Sequence, residues 1–217
     1  ATIGVSGGAD TFFTGTAQDD LVIRAESSSK KIHLGVGSSN TGQLVIDTNS
    51  RISLSNNDSG DDNTILGYNA GRLLSSGGDD NVIIGHEAVA GGTGSTGFGG
   101  TLNVFMGYRA GYNQEQATHR SVVIGANAGD ASQGGYIDSV FIGYNSGGSV
   151  TSGDYNVAIG SNSADLLTTG SSNIAIGFET LSNVVSGSGN VAIGHEAAEG
   201  FENAETGNIA IGHEVMA

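Results

Sequence analysis

The sequence predicts an all-β fold in which short parallel strands stack into a β-roll or β-helix-like solenoid. An apolar triplet followed by glycine, as in "NVAIG" and "NIAIG", occurs nine times between residues 63 and 212. Successive glycines of these copies are 17 to 22 residues apart, and a nearly constant period of this size indicates one unit that repeats and stacks. The chain has 38 glycines and no proline in 217 residues, so turns are plentiful and every backbone N–H can donate to a ladder.

The residues before the repeats predict a separate small β domain. Between residues 1 and 60, the runs "LVIRAE", "KIHLGV", "QLVIDT" and "RISLS" are separated by polar turn clusters, which favours about four strands. From residue 61 to residue 217, each unit is a strand, a glycine, a small residue three positions later and a polar loop. We therefore divide the chain into domains 1–60 and 61–217.

Each repeat strand has two apolar faces, because side chains alternate in direction along a strand. The first and third positions are uniformly large and mostly β-branched, which predicts that they fill the interior of the coil. The middle position then faces outward, against a second apolar layer, and the simplest supplier of that layer is an identical chain. The middle position is held by Ile65, Ile83, Phe105, Val123, Phe141, Ala158, Ala175, Ala192 and Ala210.

Two further positions of the repeat predict structural roles. Asn opens seven of the nine copies, and stacked Asn amides can form a hydrogen-bonded ladder. The glycine that ends each strand predicts a turn with positive φ or a close approach of two backbones. These structural glycines are Gly67, Gly85, Gly107, Gly125, Gly143, Gly160, Gly177, Gly194 and Gly212.

Charge and cysteine content exclude several classes of function. The formal net charge is −15, and no Lys or Arg follows Arg120. Phosphate backbones are bound through Lys and Arg, so we expect no nucleic-acid partner. The chain has no cysteine, which excludes disulfides and thiolate metal sites. No apolar run approaches the roughly 20 residues that span a bilayer, so we expect no membrane insertion.

The pattern N-V-A-I-G-x-x-A closely resembles repeats of two kinds of protein: the β-roll heads of trimeric bacterial adhesins, and the segments that precede the self-cleaving chaperone of many bacteriophage tail fibres and tail spikes. The match covers residues 63–217, and "DLVIRAESSSKKIHLGV" is similar to the shaft segments of such fibres. The resemblance implies a homotrimeric virion fibre that attaches to a bacterial host. It also implies a chaperone cut away near Ala217, although an arbitrary boundary there fits equally well.

Alternatives within and outside this class stay open. A bacterial surface adhesin, extracellular rather than part of a virion, is the second binding function, and a tail spike that cleaves glycans between chains is the enzyme alternative. Left-handed β-helix acyltransferases share the period but need an aliphatic residue every sixth position. Glu199 and Glu205 stand at the sixth and twelfth positions after Ile193, so the sequence does not fit this enzyme class. The nonapeptide of calcium-binding rolls has a single approximate copy, "GGADTFFTG".

Catalytic residues, cofactors and metals are not predicted. The His-Glu pairs at residues 86–87, 195–196 and 213–214 occupy positions that elsewhere hold Tyr, Phe, Ala or Ser, so the position has no constant chemistry. A trimer axis could bring three copies of such a pair to one metal ion, but a half-exposed rim explains them as well. No pair of acids has the apolar pocket and defined spacing of a catalytic dyad.

Exposed aromatic residues are the candidate receptor-binding residues. Phe98 lies in the glycine-rich segment "AGGTGSTGFGGTLN" of the longest interval, and Tyr68, Tyr108 and Tyr144 share one position of the repeat. Such side chains can stack on a sugar ring or enter a protein pocket. We therefore expect Phe98 and the tyrosines to contact a cell-surface glycan or an outer-membrane receptor. Phe98 could instead plug its own loop, with the tyrosines covering the coil edge.

Overall fold

The computed structural model describes residues 32–34, 44–46, 52–53, 62–72, 74–91, 97–114, 118–131 and 135–216. The chain divides into two compact units, residues 1–55 and 56–217. All regular elements in the described residues are strands. Accordingly, this part of the chain holds no helix with the length and apolar character to cross a bilayer.

The first unit contains a three-stranded antiparallel sheet. Its strands are β1 (Ile32–Leu34), β2 (Leu44–Ile46) and β3 (Ile52–Ser53), in the order β1-β2-β3. They coincide with the runs "KIHLGV", "QLVIDT" and "RISLS". The fourth predicted strand, "LVIRAE", lies outside the described residues.

The second unit is a β-solenoid built from nine parallel strands, as the repeat predicts. Each strand pairs with the strands of the preceding and following coils, and like positions of the repeat lie opposite each other, as Ala175 does between Ala158 and Ala192. The strands are β4 (Thr64–Leu66), β5 (Val82–Ile84), β6 (Val104–Met106), β7 (Val122–Ile124), β8 (Val140–Ile142), β9 (Val157–Ile159), β10 (Ile174–Ile176), β11 (Val191–Ile193) and β12 (Ile209–Ile211).

The predicted direction of the strand side chains is wrong. In all nine strands the middle residue is buried within the coil, and the first and third residues are half-buried or exposed. A three-residue strand points one side chain to one face and two to the other. The interior therefore receives one strand side chain per coil, and the more numerous large residues form an outer face.

The loops complete the core that the short strands leave open. Where the middle position is alanine, the returning loops add larger buried side chains such as Leu167, Leu181 and Phe201. Loops stack as well as strands: the N–H of Gly71 donates to the carbonyl oxygen of Ala88 on the next coil at 2.9 Å. Loop side chains are also buried in coils with a large middle residue, as Phe98 is in the coil of Ile83.

The glycine after each strand has the role that the sequence predicts. All nine have a φ between +135° and +141°, a range that side chains other than glycine rarely adopt. A Cβ on Gly160 would also lie 2.6 Å from the carbonyl carbon of Gly177 on the next coil. Positive φ and close backbone approach therefore both require glycine here.

The predicted asparagine ladder is present. Nδ2 of Asn173 donates to Oδ1 of Asn156 at 3.1 Å, and Nδ2 of Asn190 donates to Oδ1 of Asn173 at 3.1 Å. Oδ1 of Asn156 also accepts the backbone N–H of Asn173 at 2.9 Å. Since the side chains are buried, each bond satisfies a polar group that would otherwise be costly to bury.

Candidate functional site

An exposed column of side chains follows the glycine column along the solenoid. The residue directly after each glycine opens a turn that directs its side chain away from the core. Tyr68, Tyr108 and Tyr144 are 67%, 49% and 56% exposed, as the predicted tyrosine stripe requires. The column consists of Tyr68, His86, Tyr108, Ala126, Tyr144, Ser161, Phe178, His195 and His213.

Apart from the ring of Tyr144, the rings in this column stack in two groups, and we call all seven rings of the column, Tyr144 included, the aromatic ladder. In the first group, His86 lies between Tyr68 and Tyr108, with ring centroids 5.1 and 5.5 Å apart. In the second, the column runs through Phe178, His195 and His213, with separations of 5.1 and 4.9 Å. The coil spacing of about 4.8 Å brings like positions to stacking distance, so both groups follow from the repeat.

A column of polar side chains runs beside the aromatic ladder. Its nine residues all have φ between +50° and +57°, and Asn accepts this left-handed conformation more readily than most residues. Nδ2 of Asn145 donates to Oδ1 of Asn162 at 3.4 Å. The column consists of Asn69, Glu87, Arg109, Asn127, Asn145, Asn162, Glu179, Glu196 and Glu214.

Arg109 is the one cation of this polar column. Its guanidinium carbon lies 3.8 Å from the ring centroid of Tyr112, within the range of a cation–π contact. Its Nε lies 3.4 Å from a carboxylate oxygen of Glu87 on the previous coil. Aromatic, cationic and acidic groups therefore lie together beside Tyr108.

The outer strand residues form a second surface, which we call the apolar stripe. It consists of the first and third residues of β4 to β12, all of them aliphatic or Met except Thr64. Several are exposed in the single chain, most of all Ile209 and Ile211 on the last coil. No charged residue occupies a position of this stripe.

Phe98 does not belong to the exposed site. It is fully buried, and its ring lies edge-on to Phe105 with centroids 5.7 Å apart. The prediction of an exposed Phe98 is therefore wrong, and the loop-plug alternative is the correct one. The sequence carries a signal for this, because most coils have an apolar residue five to seven positions before the Asn of the next strand: Leu74, Phe98, Val150, Leu167, Val184 and Phe201.

Two aspartates in this unit have a raised pKa. Burial raises the pKa of Asp130 and of Asp165, and the nearby Arg109 partly counteracts the shift at Asp130. Asp130 and Asp165 occupy the same position of the repeat in the coils of β7 and β9, and the coil of β8 lies between them. Packing against stacked loops accounts for both shifts, and we assign neither a catalytic role.

One group of side chains in the described part of the chain has the composition of a metal site. His195, His213 and Glu214 offer ligand atoms that all lie within 4.8 Å of one another. All three are exposed at the C-terminal end of the aromatic ladder.

Comparison of the sequence with protein-family models and with curated proteins, and of the structure with solved structures, gives no match.

Proposed function

We propose that this chain is a structural and receptor-binding segment of a homotrimeric bacteriophage tail fibre that attaches to the surface of a bacterial host. The observation that carries the proposal is the apolar stripe. It is continuous over nine coils and contains no charge, although the chain has a formal net charge of −15.

The size of the stripe favours a partner along its whole length. Eight intervals of about 4.8 Å give a length of roughly 38 Å, and the first and third residues of a strand lie roughly 7 Å apart. A continuous exposed apolar surface with polar surroundings often marks a protein–protein interaction site. Burying the stripe against other copies removes the aliphatic side chains from water, which stabilises the assembly.

A parallel arrangement of identical chains suits a stripe of this kind. In a cyclic assembly each coil lies at the same height along the symmetry axis as the equivalent coil of the neighbouring chains. The aliphatic side chains of equivalent coils therefore contact each other without a register shift. Three stripes can meet around one axis, as the resemblance to trimeric fibres implies. The aromatic ladder lies beyond the glycine column and stays available to a receptor.

The first prediction concerns assembly. A lysine in place of Ile142, a third-position residue near the middle of the stripe, is expected to convert the trimer to monomer, because three ammonium groups would have to be buried near one axis. The measurement is the molar mass by light scattering after size exclusion, together with circular dichroism to show that the solenoid remains folded.

The matched control is Ser161→Lys, which adds the same charge to the column of the aromatic ladder. It is expected to keep the trimeric mass. A wild-type protein that is a folded monomer at micromolar concentration would contradict the proposal, as would an Ile142→Lys variant that stays trimeric.

The second prediction concerns attachment. Tyr108 and Tyr144 expose rings that can stack on a sugar face. The double variant Tyr108→Ala, Tyr144→Ala is expected to lose at least about tenfold in adsorption, since each ring is worth on the order of 1 kcal/mol or more at a binding surface. Adsorption is measured with labelled trimer on bacterial cells that the wild-type protein binds and on a glycan array.

Tyr155→Ala is the control for this experiment, because Tyr155 is an exposed tyrosine outside the ladder. It is expected to adsorb as the wild type does. If folded trimers with the double variant adsorb as well as the wild type, the aromatic ladder is not part of the binding site. That result would not affect the assembly prediction, which the molar mass tests separately. A bacterial adhesin of the same layout would use the same surfaces.

A further inference from the structure

The last two coils bring together two imidazoles and a carboxylate. The rings of His195 and His213 are nearly parallel, with centroids 4.9 Å apart and an interplanar angle of 11°. Glu214 neighbours His213 in the chain, and its Oε1 lies 3.5 Å from Nδ1 of His213. One ligand atom from each of the three residues lies within 4.8 Å of the other two.

These groups form a donor set for a divalent transition-metal ion. Imidazole nitrogen suits zinc, copper and nickel, and a set of two His and one carboxylate leaves a fourth position for water. Two ligands at about 2.1 Å from a tetrahedral ion lie roughly 3.4 Å apart. The His213–Glu214 pair is already near that separation. The side chain of His195 is 46% exposed and that of His213 65% exposed, so the rings have room to rotate toward one ion.

A fourth residue supports the orientation of the first imidazole. Oε1 of Glu196 lies 3.4 Å from Nδ1 of His195. A carboxylate at one ring nitrogen holds the imidazole in place and increases the basicity of the other nitrogen. Glu196 thus acts as a positioning residue for His195.

The same arrangement does not recur around His86. His86 stacks between Tyr68 and Tyr108, whose phenol groups are poorer ligands for a zinc-type ion than imidazole. His195, in contrast, has the imidazole of His213 beside it on the adjacent coil, because both residues occupy the same position of the repeat. His86 is therefore a negative control for zinc binding within the same chain.

We propose that His195, His213 and Glu214 bind one divalent ion of the zinc type and that this ion links the last two described coils. An ion that binds only the folded arrangement stabilises it by RT ln(1 + c/Kd), where c is the concentration of the free ion and Kd is the dissociation constant of the ion. The site is complete within one chain and does not depend on the proposed trimer.

The test is zinc binding to the whole chain of 217 residues, freed of metal with a chelator. Isothermal titration with zinc chloride is expected to give one ion per chain, and cobalt(II) is expected to give the visible absorption of a tetrahedral site. Saturating zinc is expected to raise the melting temperature. His195→Ala and His213→Ala are each expected to weaken zinc binding at least tenfold and to reduce the thermal shift at a given zinc concentration, while His86→Ala leaves both unchanged.

His195→Phe is a second variant that guards against a folding defect, because Phe178 already occupies this position on the preceding coil. It removes the ligand and retains a stacked ring, so zinc binding is expected to fall while the metal-free melting temperature is kept. Wild-type affinity in the His195→Phe or His213→Ala variant would overturn the proposal. So would the absence of zinc binding by the wild type, or a stoichiometry of one ion per three chains, which would assign the metal to a shared axis.

Discussion

Replacing Gly160 with alanine is expected to destabilise the solenoid by roughly 3–5 kcal/mol per chain, the sum of backbone strain and steric overlap. Gly160 has a φ of +138°, which an alanine reaches only with strain. Its new Cβ would lie 2.6 Å from the carbonyl carbon of Gly177, and that carbonyl is main chain and cannot swing away. Urea unfolding followed by circular dichroism measures the change.

Gly207→Ala separates the two contributions. Gly207 also has a positive φ, +74°, but a Cβ there meets no atom within 4 Å. It is expected to cost only about 1–2 kcal/mol, the usual penalty for a left-handed residue with a side chain. Equal losses in the two variants would mean that adjacent coils do not approach closely at the glycine column.

Replacing Ala192 with phenylalanine is expected to cost about 3 kcal/mol per chain, the upper end for an overpacked core. Ala192 is fully buried, with Ala175 and Ala210 at the same position on the adjacent coils. The coil around it is filled by loop residues such as Phe201. A phenyl ring can therefore enter only by displacing the loop or the neighbouring strands.

Ser161→Phe is the matched control. Ser161 lies in the column of the aromatic ladder, where Phe178 occupies the next coil and rings extend into solvent. The melting temperature of this variant is expected to stay close to that of the wild type. If Ala192→Phe melts as the wild type does, the middle strand position cannot face the interior of the coil.

The strands themselves could be read directly from the sequence. All nine apolar triplets are the strands β4 to β12, because a short β-branched run followed by a glycine break has few other structures open to it at a constant period. The Asn ladder was predictable for a similar reason. Side chains at one position of a stacked repeat must meet, and an amide can both donate to and accept from its own copy.

The candidate site could be predicted only in part. The shared position of Tyr68, Tyr108 and Tyr144 indicates an exposed column. A position that accepts Tyr, Ala and Ser places no limit on the size of its side chain, which is typical of the surface. The glycine-rich segment around Phe98 predicts an exposed loop and therefore places Phe98 on the same surface. The structure buries it against Phe105, because a loop that closes a coil must fill the space behind a short strand.

The proposed metal site follows partly from the sequence and partly from the tertiary structure. The sequence puts His195 and His213 at one position of the repeat, so their adjacency follows from the period. The approach of the Glu214 carboxylate and the near-parallel rings follow from turn geometry. Each turn combines a glycine at high positive φ with a left-handed residue two positions later, and these two backbone conformations set where the His and Glu side chains point.

The sequence by itself determined the repeat, the strand positions, the glycine column and the Asn ladder, because each of these follows from stacking like residues at a constant period. Only the tertiary structure decided which strand face is the core. A strand with apolar residues on both faces carries no local information about inside and outside, and the turns that close each coil select the face. They direct one side chain per strand, such as Ala192, into a narrow interior already occupied by loop residues, and they leave the two flanking aliphatic side chains on the outside.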